Sequence, residues 1–236
     1  MSRLSGVLRD PLLSVVMPVF NEASTIEDII NRVLAVPLRI QLIVVDDCSV
    51  DGTRDTLTRL QSAHGFTLLL QPRNQGKGAA LRRGFTETRG DLVIIQDADL
   101  EYSPEEFPML IELICEGRAD VVYGSRFIGR HRVFLFTHYL GNRLLTLVTN
   151  VLYNTMLSDM ETCYKVMRIE VLRSMTLRSD GFGIEPELTA KIFKRGYRVY
   201  EVPITYDGRG YDEGKKIGWR DGVVALWVLL RYRFSE

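Results

Sequence analysis

Residues 92–101 read LVIIQDADLE: four consecutive apolar residues, a glutamine, then carboxylates at Asp97, Asp99 and Glu101. A run that is apolar at every position and only four long is the pattern of a strand buried on both faces, as the strands of parallel sheets are. Asp97 and Asp99 follow that strand at i and i+2, which puts both carboxylates on one side of the extended chain. Hard divalent ions take oxygen ligands and keep water or substrate phosphate in the rest of their shell, so two convergent carboxylates at a strand end suit Mg²⁺ or Mn²⁺. Two acids after a strand also serve as turn formers and caps, so the tripeptide is read with its surroundings.

Outward from this strand, the spacing predicts further strands over Leu12–Met17, Gln41–Val45, Phe66–Leu70 and Val121–Tyr123, separated by helix-length segments. Such alternation is the signature of an α/β protein with a mainly parallel sheet and crossover helices. Ile26, Ile29, Ile30, Val33 and Leu34 fall on one helical face, with Ser24 and Glu27 at the spacing of a capping box. A second helix is expected after Asp51, as its cap, and a third after Gly76–Gly78. Four strand ends then carry polar clusters: 18–22 (PVFNE), 46–52 (DDCSVDG), 72–78 (PRNQGKG) and 97–101 (DADLE). Parallel strands deliver such ends to one crevice at the C-terminal edge of the sheet, where ligands of open α/β sheets bind. Asp46 and Asp47 have no evident ion-pair partner in the sequence, and Asp47 is expected to accept hydrogen bonds from a nucleotide. Gly76-Lys77-Gly78 at a helix start can present N–H groups and an ammonium to an anion, or be a turn followed by a solvated lysine. No GxGxxG follows the first strand and no GxxxxGK[ST] occurs, which argues against a dinucleotide-binding dehydrogenase and a P-loop NTPase.

Beyond Tyr123 the pattern changes. Arg126, Arg130, His131, Arg132 and Arg143 surround an apolar helix expected over Tyr139–Leu157; a helix over Glu185–Arg195, a strand over Arg198–Glu201 and a helix over Trp219–Tyr232 complete a helical annex. The 236 residues suit one domain, with a first half at 12–123 and a second at 124–236. Thirty basic residues balance thirty acidic ones, so no global field points to nucleic acid. Cys48, Cys115 and Cys163 form no CxxC pair and suit free thiols in a reducing cytoplasm. His64, His131 and His138 have no i,i+4 partner and are given no task. The start, MSRLSGVLRDP, lacks a signal-peptide core, and no apolar run reaches the ~18 residues of a spanning helix; a cytoplasmic protein, soluble or peripheral on a membrane, is expected.

The ordered set SVVMPVFNE, IVVDDCSVDGT, NQGKGAALRRGF, IIQDADLEYSPEE, VVYGSRF, DMETCYKVMR, GFGIEPELTAKIFKRGYRVYEVPITYDGR and EGKKIGWRDG resembles family 2 glycosyltransferases, within them the dolichyl- or polyprenyl-phosphate mannose/glucose synthases. The resemblance implies the GT-A fold, a Rossmann-like sheet with a helical annex, and a nucleotide-sugar-binding first half followed by an acceptor-binding second half. It implies that Pro18, Phe20, Glu22, Val45 and Asp47 line the nucleoside pocket, that Ala98 packs on the nucleotide, and that Asp97 and Asp99 bind the metal. Glu101 stands where some members have Gln and would complete the shell. Lys77 is assigned to the donor, Arg126 to the transferred or acceptor phosphate, and Arg209, Lys215 and Lys216 to a basic loop that closes over the diphosphate between Gly208, Gly210 and Gly214.

The implied reaction moves mannose or glucose, with inversion, from GDP-mannose or UDP-glucose to a polyprenyl phosphate. An ionised phosphate nucleophile needs no strong base. A hydroxyl acceptor would need one, for which Asp159 or Glu161 is the candidate; the same two acids can instead pair with the nearby arginines. The runner-up is therefore a soluble glycosyltransferase acting on a saccharide or other hydroxyl. A sugar-1-phosphate nucleotidyltransferase would carry a Gly-rich loop where PVFNE stands, and a non-catalytic binding protein would not need Asp97, Asp99 and the basic loop. The Arg126–Leu157 region, apolar and flanked by arginines, suits a membrane interface, with anchoring by peripheral contact or by a membrane partner protein.

Overall fold

The computed structural model describes residues 6–132, 135–208 and 218–235. Among these residues seven strands and eight α-helices follow one another: β1 Leu12–Val19, α1 Ile26–Ala35, β2 Arg39–Asp46, α2 Thr53–His64, β3 Thr67–Leu70, α3 Lys77–Phe85, β4 Leu92–Ile95, α4 Phe107–Cys115, β5 Val121–Ser125, α5 Phe136–Tyr153, β6 Lys165–Arg168, α6 Ile169–Arg173, α7 Ile184–Lys194, β7 Val199–Pro203 and α8 Trp219–Phe234. All seven strands form one sheet, in the order β3-β2-β1-β4-β6-β5-β7. Every pairing is parallel except those of β6, which runs antiparallel between β4 and β5.

The first half follows its apolar pattern. β1 and β4 are buried over nearly all their length, and Pro18 lies opposite Val45, Val19 opposite Asp46. Helix α3 comes so close to this sheet that a Cβ on Gly84 would stand 2.4 Å from Val16 Cγ1, which explains the glycine in that helix. Ile26, Ile29, Ile30 and Val33 bury the predicted face of α1.

Three expectations are corrected. The Ser24/Glu27 capping box does not form: Thr25 precedes α1 without a side-chain cap, the Glu22 carbonyl accepts the N–H groups of Thr25 and Ile26 at 3.1 and 3.0 Å, and Glu27 pairs instead with Arg59 at 2.7 Å. The apolar helix expected over Tyr139–Leu157 starts three residues earlier, at Phe136, and stops at Tyr153, where Asn154 turns into the left-handed region at φ 51°. The second half is more than a helical annex, because β6 enters the middle of the sheet. Its sequence, KVMR, is charged at both ends, yet it is wholly buried. Lys165 reaches the carbonyls of Met160 and Thr162, and Arg168 those of Gly6 and Ile114, so each charge ends on backbone oxygens rather than in solvent.

Candidate active site

The C-terminal ends of β1, β2 and β4 meet as expected, and side chains stitch their loops together. The Asn21 N–H donates to Ser49 Oγ at 2.9 Å, the Val50 N–H to Asn21 Oδ1 at 2.9 Å, and the Glu22 N–H to Thr53 Oγ1 at 2.9 Å. Thr25 Oγ1 donates to the Ala98 carbonyl at 2.8 Å, joining the first loop to the DxD turn. Asn21 holds a φ of 53°, a left-handed value that costs a non-glycine residue energy and is held here by its two bonds to the 49–50 turn.

Asp46 and Asp47 are not the unpartnered acids that their sequence suggested. Asp46 Oδ2 accepts Arg54 Nε and Nη2 at 2.8 and 2.6 Å. Asp47 Oδ1 accepts Gln71 Nε2 at 2.6 Å and the Gln75 N–H at 2.8 Å, and its Oδ2 accepts the Gly76 N–H at 2.7 Å. Asp47 thereby fixes the 71–76 loop. Lys77, at the start of α3, is neither solvated nor turned to an open anion cradle. Its Nζ stands 2.8 Å from Asp97 Oδ1 and 2.7 Å from Glu185 Oε1. Burial is the largest influence on this ammonium and opposes it, but the Asp97 and Glu185 carboxylates outweigh burial and hold the pKa well above that of an ordinary lysine.

Asp99 Oδ1 accepts the Glu101 N–H at 3.2 Å, as an Asx turn does. Glu101 Oε2 accepts the Tyr206 hydroxyl at 2.6 Å. The three acids expected as a metal shell, Asp97, Asp99 and Glu101, therefore do not form a ready-made cage, and among the described residues no three His, Cys, Asp or Glu side chains do. The donor set still fits a hard divalent ion: Asp97 and Asp99 offer carboxylate oxygens, which suit an ion whose remaining ligands are phosphate oxygens and water.

Arg126, at the end of β5, is buried and gripped by Asp159: Nε to Oδ2 at 2.8 Å, Nη2 to Oδ1 at 2.9 Å, and the Arg126 backbone N–H to Oδ2 at 3.0 Å. The guanidinium carbon lies 5.2 Å from the Tyr206 ring centre. Tyr206 thus touches both the DxD loop, through Glu101, and Arg126. Below them, Glu161 has a buried oxygen with no hydrogen-bond partner; burial first, then the Glu185 charge, lifts its pKa to about 7 against the pull of Lys165. Of the residues expected from the sequence, Pro18, Phe20, Glu22, Val45, Asp47, Lys77, Asp97, Ala98 and Asp99 lie on the joined loops and strand ends, and Arg126 and Asp159 form the pair beside Tyr206. Arg209, Lys215 and Lys216 lie outside the described residues. Tyr206 and Glu185 were missed, although both stand within the motifs quoted above; neither belongs to a local pattern that announces a contact across the fold.

The sequence pattern of Glycosyl transferase family 2 matches residues 14–176, which hold most of β1, the DxD turn and the Arg126–Asp159 pair. This chain belongs to that family. Among its family 2 relatives are the low-salt glycan biosynthesis hexosyltransferase Agl6 of Haloferax volcanii, 32% identical over 95% of this chain and 55% of its own, and the dolichol-phosphate mannosyltransferase of Pyrococcus furiosus, 30% identical over 87% of this chain and 59% of its own. The chain spans little more than half of those two relatives. It spans 98% of a third, the undecaprenyl-phosphate mannosyltransferase of Micrococcus luteus, at 29% identity over 93% of this chain. The fold resembles glucosyl-3-phosphoglycerate synthase of Mycobacterium tuberculosis, solved with Mn²⁺, UDP and phosphoglyceric acid, with TM-score 0.75, 23% identity, and coverage of 96% and 80% of the two chains. The same enzyme solved with Mg²⁺ and UDP gives TM-score 0.68 at 26% identity over 86% and 74%. This family 2 chain has the GT-A fold.

Proposed function

We propose that this chain is one catalytic unit that transfers mannose or glucose, with inversion, from a nucleotide sugar to a polyprenyl phosphate at the cytoplasmic face of a membrane. The names of the Pyrococcus and Micrococcus relatives support the acceptor and those of the Mycobacterium structures support a divalent metal. The observation that carries the reading is Tyr206, whose hydroxyl is bound to Glu101 of the DxD loop and whose ring lies against Arg126. A carboxylate cluster suited to a cation-bound diphosphate and a pinned guanidinium suited to a second phosphate are one aromatic ring apart.

In this reading Asp97 and Asp99 would hold Mg²⁺ or Mn²⁺, which when bound neutralises charge on the leaving diphosphate. Pro18, Phe20, Glu22, Val45 and Ala98 line the nucleoside pocket, and Asp47 holds the 71–76 loop as its wall. Arg126 receives the acceptor phosphate with a guanidinium edge fixed in advance, since Asp159 grips its Nε and Nη2. Asp159 then acts as a positioning residue, and the phosphate, already ionised, needs no base.

The lipid side rests on α5 and α8, which pack on each other through the Tyr153 hydroxyl and the Leu229 carbonyl at 2.8 Å. Leu140, Leu144, Leu147 and Val151 recur along one stripe of α5 and are all more than half exposed. Val223, Trp227 and Phe234 are likewise exposed on α8, with Arg220, Arg231 and Arg233 on the same helix. Two adjoining apolar helix faces bordered by arginines suit the interface of an anionic bilayer. No described helix is long and apolar enough to cross a membrane; in this reading the two faces make a peripheral contact or meet a membrane partner protein.

A second reading, a hydroxyl acceptor, is favoured by Glu161, whose pKa near 7 and unpartnered oxygen suit a general base. The test is release of nucleoside diphosphate from GDP-mannose and from UDP-glucose, each with Mg²⁺ or Mn²⁺, with and without a short polyprenyl phosphate. Release that needs both metal and lipid phosphate, and that Asp99→Ala abolishes, is expected. Release indifferent to the lipid and raised by a saccharide would overturn the polyprenyl-phosphate reading in favour of Glu161 chemistry.

A further inference from the structure

Lys77 places a cation on one of the two acids read as cation ligands. Its ammonium lies 2.8 and 3.1 Å from the two oxygens of Asp97, and on its other side 2.7 Å from Glu185 Oε1. The three side chains are 15%, 20% and 5% exposed, so their charges are weakly screened by water. One ammonium between two carboxylates leaves negative charge uncompensated. The other Glu185 oxygen is buried and has no hydrogen-bond partner, so this carboxylate can accept more from Lys77 than it does here.

The anchor of this lysine is fixed, and only its stem is free to swing. A Cβ on Gly76 would come within 2.5 Å of the Asp180 carbonyl oxygen, and one on Gly78 within 2.3 Å of that of Ser179. The Ala79 N–H donates to the Asp180 carbonyl at 2.9 Å. The backbone on both sides of Lys77 is therefore packed on the 179–181 segment that leads into α7, the helix that carries Glu185. Glu161 and Lys165 neighbour Glu185, but the Lys165 ammonium is engaged by the Met160 and Thr162 carbonyls, and among the described residues the ion pair of Glu185 is with Lys77.

We propose that Lys77 is a built-in counter-cation that occupies Asp97 until the donor site is loaded, and that Glu185 is the seat to which its ammonium withdraws when Asp97 is required as a ligand. The ammonium stays protonated throughout, and no bond is made or broken. Asp97 is thereby kept from collapsing onto other donors in the empty enzyme, and binding of a divalent cation alone is weakened until the diphosphate adds its own oxygens. The proposal rests on the reading of Asp97 and Asp99 as cation ligands, and it adds a positioning role for Glu185.

The experiment is Mn²⁺ binding to the whole protein without nucleotide, followed by the electron paramagnetic resonance of free Mn²⁺, for the native chain, Lys77→Gln, Glu185→Gln, the double variant and Asp99→Asn. Lys77→Gln is expected to tighten Mn²⁺ binding by about tenfold or more, because a positive charge beside the ligand is lost. Glu185→Gln is expected to weaken binding several-fold in the native background and to change nothing once Lys77 is gone, the coupling that a double-mutant cycle reads. A Lys77→Gln variant that binds Mn²⁺ no better than the native chain would overturn the gate. So would a Glu185→Gln effect that persists in the double variant, since Glu185 would then act on the ion directly. Should Lys77→Gln not fold, Lys77→Met takes its place in the same cycle, with the same results expected and the same results overturning the gate. Mn²⁺ binding that Asp99→Asn leaves untouched would overturn the cation-ligand reading itself, and the gate with it.

Discussion

Asp159 is fully buried and makes three hydrogen bonds to Arg126, two to the guanidinium and one to the backbone. Removing one partner of such a pair leaves an uncompensated charge in a dry place, a loss larger than the pair is worth intact. Asp159→Ala should cost about 3–5 kcal/mol of stability by chemical denaturation, and should raise the KM for the acceptor far more than that for the donor if Arg126 faces the acceptor phosphate. Glu161 gives a sign that can be worked out. Burial raises its folded pKa from 4.5 to about 7, so the folded protein holds this proton more tightly than the unfolded chain does. Its contribution is fully present below about pH 4.5 and is lost as pH rises toward 7, and Glu161→Gln should flatten the stability profile across that window. Urea midpoints at half-unit pH steps would read this, and an unchanged slope would mean that Glu161 stays ionised in the native state. Tyr206 could not have been singled out from sequence, because its value lies in touching Glu101 and Arg126 at once, and only the folded chain brings those three together.

At the scale of elements, the strands that bury apolar residues on every position were readable, and those held by polar contacts were not. β1, β2 and β4 announce themselves as runs of Val, Ile and Leu, and the DxD turn was legible because it follows such a run. KVMR of β6 has the composition of a loop, and its burial depends on carbonyls contributed by other segments, which no local window contains. Lys77 shows the same limit: its local surroundings suggest an anion cradle, but its partners Asp97 and Glu185 come from two other elements. Helix α5 tests the converse case, a pattern readable as a core stripe that the fold leaves uncovered. Leu144 and Leu147 are both 58% exposed, so Leu144→Glu with Leu147→Glu should change stability by no more than about 1 kcal/mol in sum. The same pair should abolish co-sedimentation with vesicles of anionic lipid. Retained vesicle binding would move the membrane contact to α8 or remove it from the account.

Across the whole molecule, the DxD half and the Arg126 half are joined by β6, the one strand that runs against the others and lies between β4 and β5. The parallel neighbour of β4, β1, precedes it in the chain, but its other edge is closed only by residues 166–168. On the ribosome, where a chain grows at about 5–20 residues per second, the strand that leads into Asp97 and Asp99 therefore waits with one edge open while α4, β5 and α5 emerge. An open apolar edge is a template for another chain. A fragment ending at residue 160 should consequently elute as aggregates and unfold without a cooperative transition, whereas the 236-residue chain, with β6 in place and α8 packed on α5, should be monodisperse. The antiparallel strand thus imposes an order of birth: the edge that leads into Asp97 and Asp99 cannot be closed before Arg126 and Asp159 have been synthesised, so neither half of the sheet is finished without the other.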